Sequence, residues 1–203
     1  MVPGNKLYSQ SHVKTTLIIS DSTPKRIHNS EIKANIDLTK EDVVFKRYPG
    51  QTAEEIAYYA PKPLRDINPE VVIIIAGTND LTKGMFNGGV VDEYEVVRNI
   101  KNIGCAARDS GAKKIYISGI LVRKGYQYKN VTPRVNNLLQ SMCSDENFVY
   151  IDQSDITTGH ISGDGIHPNF YGTTVLKYNI LSIFPTFNPY LSDFDDDYER
   201  SLF

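Results

Sequence analysis

Five residues, Ser22, Gly50, Asn79, Asp164 and His167, carry groups suited to acyl chemistry. Ser22 stands in Ser20-Asp21-Ser22, two positions beyond an apolar run. Its hydroxyl is a potential nucleophile, although serine there is equally a common helix N-cap. A helix beginning at Ser22 would also offer backbone N–H groups and positive dipole to an oxyanion. Gly50 closes Tyr48-Pro49-Gly50, either as a turn glycine or as a backbone N–H that substrate approaches closely. Asn79, in Gly77-Thr78-Asn79-Asp80, can donate its amide to developing negative charge or make an Asx-type turn. Asp80 is expected to fix that loop rather than to react. Asp164 and His167, in a loop bounded by Gly163 and Gly165, have the spacing of an acid–base pair. The same Asp-x-x-His spacing suits metal ligands, but no second histidine or carboxylate cluster accompanies it. His160 reads as a surface residue.

Each of these motifs closes a stretch that reads as a strand or lies in a loop just beyond one. Lys14 to Ser20 is a short β-branched run, and Val43 to Tyr48 a second strand ended by Pro49-Gly50. Thr52 with Glu55 has the capping-box spacing and opens a helix to Ala60, ahead of Pro61 and Pro63. Val71 to Ala76 is unbroken and apolar, as in parallel strands covered on both faces. Val91 to about Ser110 has helical period and stops at Gly111. Lys114 to Ser118 and Phe148 to Ile151 read as the last strands, with helices over Thr132 to Cys143 and Asn169 to Ile183. Strand and helix alternate throughout. The expected fold is a three-layer α/β/α sandwich with a central, mainly parallel sheet of about five strands, flavodoxin-like in outline. In such sheets ligands bind beyond the carboxyl ends of the strands, where all the motifs fall.

Composition bounds the reading. The chain has 203 residues, 40% hydrophobic and 23% charged, with a net charge of −2. That is ordinary for one globular domain, and nothing global points to a nucleic-acid or membrane surface. No apolar run is long enough to span a bilayer, and the polar N-terminus has no signal-peptide core. Cys105 and Cys143 lack any ligand spacing and read as free thiols, which favours an intracellular, cytoplasmic setting. Residues 1–13 read as a linker within a longer polypeptide, 14–184 as the domain, and 185–203 as a solvated acidic tail.

The ordered blocks Ser20-Asp21-Ser22, Gly50, Gly77-Thr78-Asn79-Asp80 and Asp164-Gly165-Ile166-His167 resemble the SGNH, or GDSL-type, esterase and lipase family over Lys14 to Ile183. The resemblance implies that Ser22 supplies the nucleophile and an oxyanion N–H, Gly50 a second N–H, and Asn79 an amide. It makes Asp164 and His167 the acid and base of a triad. One departure stands out, because the first block is usually Gly-Asp-Ser and this chain has Ser20 in the glycine position. More narrowly, Tyr48-Pro49-Gly50-Gln51-Thr52, Ile117-Ser118-Gly119-Ile120-Leu121 and Asp164-Gly165-Ile166-His167-Pro168-Asn169 resemble esterase domains of non-LTR retrotransposon first open reading frames.

The implied chemistry is hydrolysis of a small-molecule or lipid ester through an acyl-enzyme, with no cofactor and no metal. Two loops are expected to line the pocket. Leu81 to Gly89 carries Met85 and Phe86 as an acyl wall. Gly119 to Pro133 carries Arg123, Lys124, Tyr126, Tyr128 and Lys129, with the basic residues facing an anionic head group. The alternatives are a carbohydrate O-acetylesterase and a catalytically silent SGNH-like binding module. A flavodoxin-like nucleotide or phosphoacceptor domain fits less well, since no glycine-rich phosphate loop follows the first strand.

Overall fold

The structure, a computed structural model, describes residues 12–86 and 90–189, with the side chains of residues 84–86 outside the description. Residues 1–11 of the expected linker and 190–203 of the expected acidic tail lie outside the described residues. Five parallel strands form one sheet in the order β2-β1-β3-β4-β5. They are β1 (Lys14–Ser20), β2 (Glu41–Arg47), β3 (Val71–Ile75), β4 (Lys114–Ser118) and β5 (Val149–Ile151). The helices are α1 (Asn29–Lys33), α2 (Ala53–Tyr59), α3 (Pro61–Ile67), α4 (Thr78–Phe86), α5 (Glu93–Asp109), α6 (Val131–Glu146) and α7 (Phe170–Leu181).

Alternation along the strands makes the three layers. Leu17 and Ile19 of β1, with Val72 and Ile74 of β3, turn to one face and pack with Ile56 of α2, Leu64 of α3, Ile100 of α5 and Leu139 of α6. Ile18, Ile73 and Ile75 turn to the other face and meet Ile32 of α1 and Val175, Leu176 and Ile180 of α7. A strand covered on both faces has no polar side to display, which is why these runs are apolar without a break. The order reverses between β1 and β3, so loops leaving their carboxyl ends diverge and open a crevice there.

Several local features follow from the sequence as read. Thr52 caps α2 while the Glu55 carboxylate accepts from the Thr52 N–H at 2.7 Å, completing the capping box. Asn147, in the left-handed conformation, ends α6. Beyond residue 184 the chain is still attached: the Thr186 hydroxyl accepts from the Asp37 N–H at 3.1 Å, and Phe187 packs edge-on against Tyr178.

Three helices depart from the expectation. The helix α2 ends ahead of Pro61 as expected, but Pro61 itself opens a further helix, α3, because proline at a first helical position loses no hydrogen bond. Residues 78–86, expected as loop, form α4, with Gly77 at φ +108 making the break from β3. Thr, Asn and Asp favour turns and helix starts alike, so their cluster does not distinguish the two. No helix begins at Ser22. The chain there makes consecutive turns, Lys25 N–H to Ser22 O and Ile27 N–H to Pro24 O, both 3.0 Å, and α1 starts only at Asn29. The expected helix dipole behind Ser22 is therefore absent. Among the described residues no helix is long and apolar enough to cross a membrane.

Leu17, fully buried at the centre of the larger cluster, tests this packing. Leu17→Ala is expected to cost about 2–5 kcal/mol in urea unfolding, through lost apolar burial and the cavity left behind.

Candidate active site

Ser22 sits at the carboxyl end of β1, held by its neighbours on both sides. The Asp21 N–H continues the sheet pattern to Ile75 O at 2.9 Å, and Tyr48 N–H reaches Ser20 O at 2.7 Å. The Asp21 carboxylate is fully buried. It accepts from Thr23 N–H at 2.7 Å and from Thr78 N–H at 3.3 Å, joining the loop after β1 to the loop after β3. Burial pushes its carboxyl up, opposed by the Thr23 and Thr78 hydrogen bonds and by the facing His167. The Thr23 and Thr78 hydroxyls meet at 3.1 Å behind it.

His167 comes from the far end of the chain. Its loop folds back on itself through an antiparallel bridge of Ile161 and Pro168, with Ser162 N–H to His167 O at 2.8 Å. Gly165 takes a positive φ of 75° so that its N–H can return to Ser162 O at 3.0 Å. Asp164 Oδ1 gathers the His167 N–H at 3.0 Å, the Ile166 N–H at 2.9 Å and the Ser162 hydroxyl at 2.7 Å. The backbone N–H of His167, then that of Ile166, hold this carboxyl well below the usual carboxylate range. An ionised carboxylate only accepts hydrogen bonds. The 2.8 Å contact of Asp164 Oδ2 with His167 Nδ1 therefore puts the ring proton on Nδ1. That leaves the Nε2 lone pair toward the Ser22 hydroxyl, 3.1 Å away. The metal alternative for Asp-x-x-His loses its donor set, because Nδ1 is spent on Asp164 and Nε2 faces Ser22. Among the described residues no His, Cys, Asp and Glu cluster is placed to hold a metal ion.

Gly50 and Asn79 come together across the crevice. Gln51 N–H to Tyr48 O at 3.2 Å, with Pro49 and then Gly50 at φ +78, makes a type II-like turn. A side chain at Gly50 would meet nothing within 4 Å, so this glycine is set by its φ and not by crowding. Asn79, in the first turn of α4, donates one amide hydrogen to Gln51 O at 2.9 Å, which leaves the second free. Asp80 pins the same region, accepting from the Ala53 N–H at 2.9 Å. At Gly77 a Cβ would approach Ile120 to 2.5 Å, so both its φ and its close contact demand glycine.

The residues expected to line the pocket fare differently. Arg123 is interior, only 3% exposed, and its guanidinium donates to Thr78 O at 2.9 Å and to the Thr82 hydroxyl while stacking on Tyr128 at 4.4 Å. It braces the start of α4 instead of facing an anionic head group. Burial draws its pKa down, and its charge faces Asp21 and Asp164. Tyr126, 89% exposed on a short 3₁₀ turn, stands out in solvent. Met85 and Phe86 lie in the last turn of α4, and their side chains are outside the described residues. His160 is buried rather than on the surface, its Nδ1 accepting from Thr157 N–H at 3.0 Å. Asp21, Thr78 and Ser162 were not anticipated as supports. The only signal for Asp21 was a charged residue ending an otherwise apolar strand run.

Comparison with solved structures places this architecture among known proteins. A GDSL-like lipase from Bacteroides thetaiotaomicron matches with a TM-score of 0.69 at 17% identity, over 84% of this chain and 87% of that one. A catalytic mutant of an acetylxylan esterase from Geobacillus stearothermophilus matches with a TM-score of 0.72 at 13% identity, over 88% and 98%. A lipase/acylhydrolase from Enterococcus faecalis matches with a TM-score of 0.67 at 16% identity, over 84% and 95%. Neither a protein-family model nor a curated protein sequence matches the chain. At these identities the likeness is one of fold: the chain has the α/β/α architecture of the SGNH, or GDSL-type, hydrolases.

Asp80 gives a pH test of how α4 grips α2. Burial raises its carboxyl from 3.8 to about 6. Between those values the unfolded chain releases the proton while the folded chain keeps it, so stability falls as pH rises and the deficit is complete above about 6. Asp80→Asn stays neutral and keeps an oxygen for the Ala53 N–H. The variant is expected to exceed the parent by about 1–3 kcal/mol in urea unfolding at pH 8 and to converge with it near pH 4. A difference that ignores pH would remove burial of the charge as its source.

Proposed function

We propose that the protein is a serine-dependent carboxylic ester hydrolase working through an acyl-enzyme on Ser22. The observation that carries the reading is the continuous hydrogen-bonded line from the Ser22 hydroxyl through His167 to Asp164, 3.1 Å and then 2.8 Å. A nucleophile in reach of a base, and that base oriented by a third group, is the arrangement that activates a hydroxyl. In this scheme His167 Nε2 takes the Ser22 proton as the oxygen attacks the ester carbonyl. Asp164 keeps the ring in the needed tautomer and stabilises the imidazolium. The imidazolium returns the proton to the leaving alcohol, and water then repeats the attack to release the acid.

The negative oxygen of each tetrahedral intermediate is assigned to three donors: the N–H groups of Ser22 and Gly50 and the free amide hydrogen of Asn79. In support, neither backbone N–H has a hydrogen-bond partner among the described residues, whereas Asp21 and Thr23 on either side of Ser22 both do. The lipase, lipase/acylhydrolase and acetylxylan esterase with similar folds support ester chemistry. The free thiols of Cys105 and Cys143 support a reducing compartment.

Hydrolysis of p-nitrophenyl esters of increasing acyl length is the test. Ser22→Ala is expected to abolish turnover while remaining folded. Asn79→Ala is expected to lower kcat about 100- to 1000-fold, the effect of losing one oxyanion donor. Parent protein that is folded yet inert at every acyl length would shift the reading to a silent binding module.

A further inference from the structure

A cleft of about 530 Å³ opens beyond β4 and β5, on the same sheet edge as Ser22, between α6 and the segment that follows β5. Its size is that of a small-ligand site, and it contains none of the residues assigned above to the ester chemistry. Ile120 and Val122 contribute an apolar patch, and Tyr128 and Tyr150 add aromatic rings. Two amides that reach the cleft are already committed. Asn136 exchanges both hydrogen bonds with the Ile120 backbone at 2.8 and 2.9 Å, and Gln153 joins Ser118 to Asn179 at 3.1 and 2.9 Å. They hold the wall in shape. Asn137 and Gln140, one helical turn apart on α6, are exposed there with side chains that make no hydrogen bond among the described residues, and Thr158 also lines the cleft.

The lining selects a class of ligand. Its only ionisable residues besides the tyrosines are Lys129 and Asp152, so a phosphate or carboxylate finds no excess of positive charge. Burial pushes the Tyr150 hydroxyl up to about 12, so it stays neutral, able both to donate and to accept. A hydrocarbon chain would strip water from Asn137 and Gln140 and return no hydrogen bond. A neutral polyhydroxylated ring satisfies both demands, since its hydroxyls donate to and accept from amides while its C–H face packs on tyrosine. The ends of β4 and β5 lie two and three strands from β1, about 10–15 Å at ordinary strand spacing.

We propose that this cleft is a subsite for the neutral sugar portion of an ester-bearing oligosaccharide whose ester lies at Ser22. The proposal rests on the ester hydrolase reading for its reaction, but its binding half can be measured alone. The probes are unesterified cellotriose, xylotriose and chitotriose, titrated by NMR against the parent, the Ser22→Ala protein and the Asn137→Ala/Gln140→Ala double variant. At least one trisaccharide is expected to bind the parent and Ser22→Ala alike. Binding to the double variant is expected to be about five- to tenfold weaker, the effect of one or two lost hydrogen bonds. For the acetylated form of that trisaccharide, kcat/KM relative to p-nitrophenyl acetate is expected to fall by the same factor. Absence of binding by all three trisaccharides, or equal binding by the double variant, overturns the subsite. Absent p-nitrophenyl acetate hydrolysis by a parent that binds the sugar overturns the ester hydrolase reading instead.

Discussion

Asp21 is a fully buried carboxyl group, and its oxygens accept from backbone N–H groups of two different loops. Those loops carry Ser22 and Asn79, so the hydrogen bonds to the buried carboxyl also set the distance between the proposed nucleophile and the proposed oxyanion donor. Leaving either N–H unpaired in the interior would cost about 1–3 kcal/mol. Burial pushes this carboxyl up, and the Thr23 and Thr78 hydrogen bonds oppose that shift. Arg123 completes the arrangement from β4, because its guanidinium grips the Thr78 carbonyl one residue before Asn79. Loops after three strands are thus fastened around one buried carboxyl.

A different device orients His167. Asp164 lies partly in solvent, so its charge is held by backbone N–H groups of its own loop and not by burial. The turn at Gly165 brings those groups to one oxygen and leaves the other for His167. The loop is anchored in turn by Lys124 N–H to Gly165 O at 3.0 Å, which ties it to the β4 loop that carries Arg123. The two carboxyls of the site are thus pushed in opposite directions, Asp164 down by the N–H groups of its own loop and Asp21 up by burial.

The sheet was legible because strands buried on both faces must be apolar throughout, and Lys14–Ser20 and Lys114–Ser118 appear with the bounds read from sequence. Ser22, Gly50 and Asn79 could be placed from the sequence because each lies within four residues of a strand end, whereas Asp164 and His167 stand 13 and 16 residues beyond β5 and were marked only by their Asp-x-x-His spacing. Local competition hid the rest. Thr78-Asn79-Asp80 suits a turn as well as a helix start, and Ser22 suits an N-cap as well as the turn it occupies. Arg123 looked like a surface cation because its partners Thr78, Thr82 and Tyr128 lie up to 45 residues away. A buried charge is defined by such remote partners, and no local pattern records them.

The central claim is that His167 and its carboxylate make Ser22 a nucleophile. Its most direct test is covalent labelling with a fluorophosphonate followed by peptide mass spectrometry, in the parent and in His167→Ala. The account predicts a single adduct on the peptide containing Ser22, formed by the parent and lost in the variant. An adduct on another serine, or labelling of Ser22 that persists at the same rate without the imidazole, would contradict it.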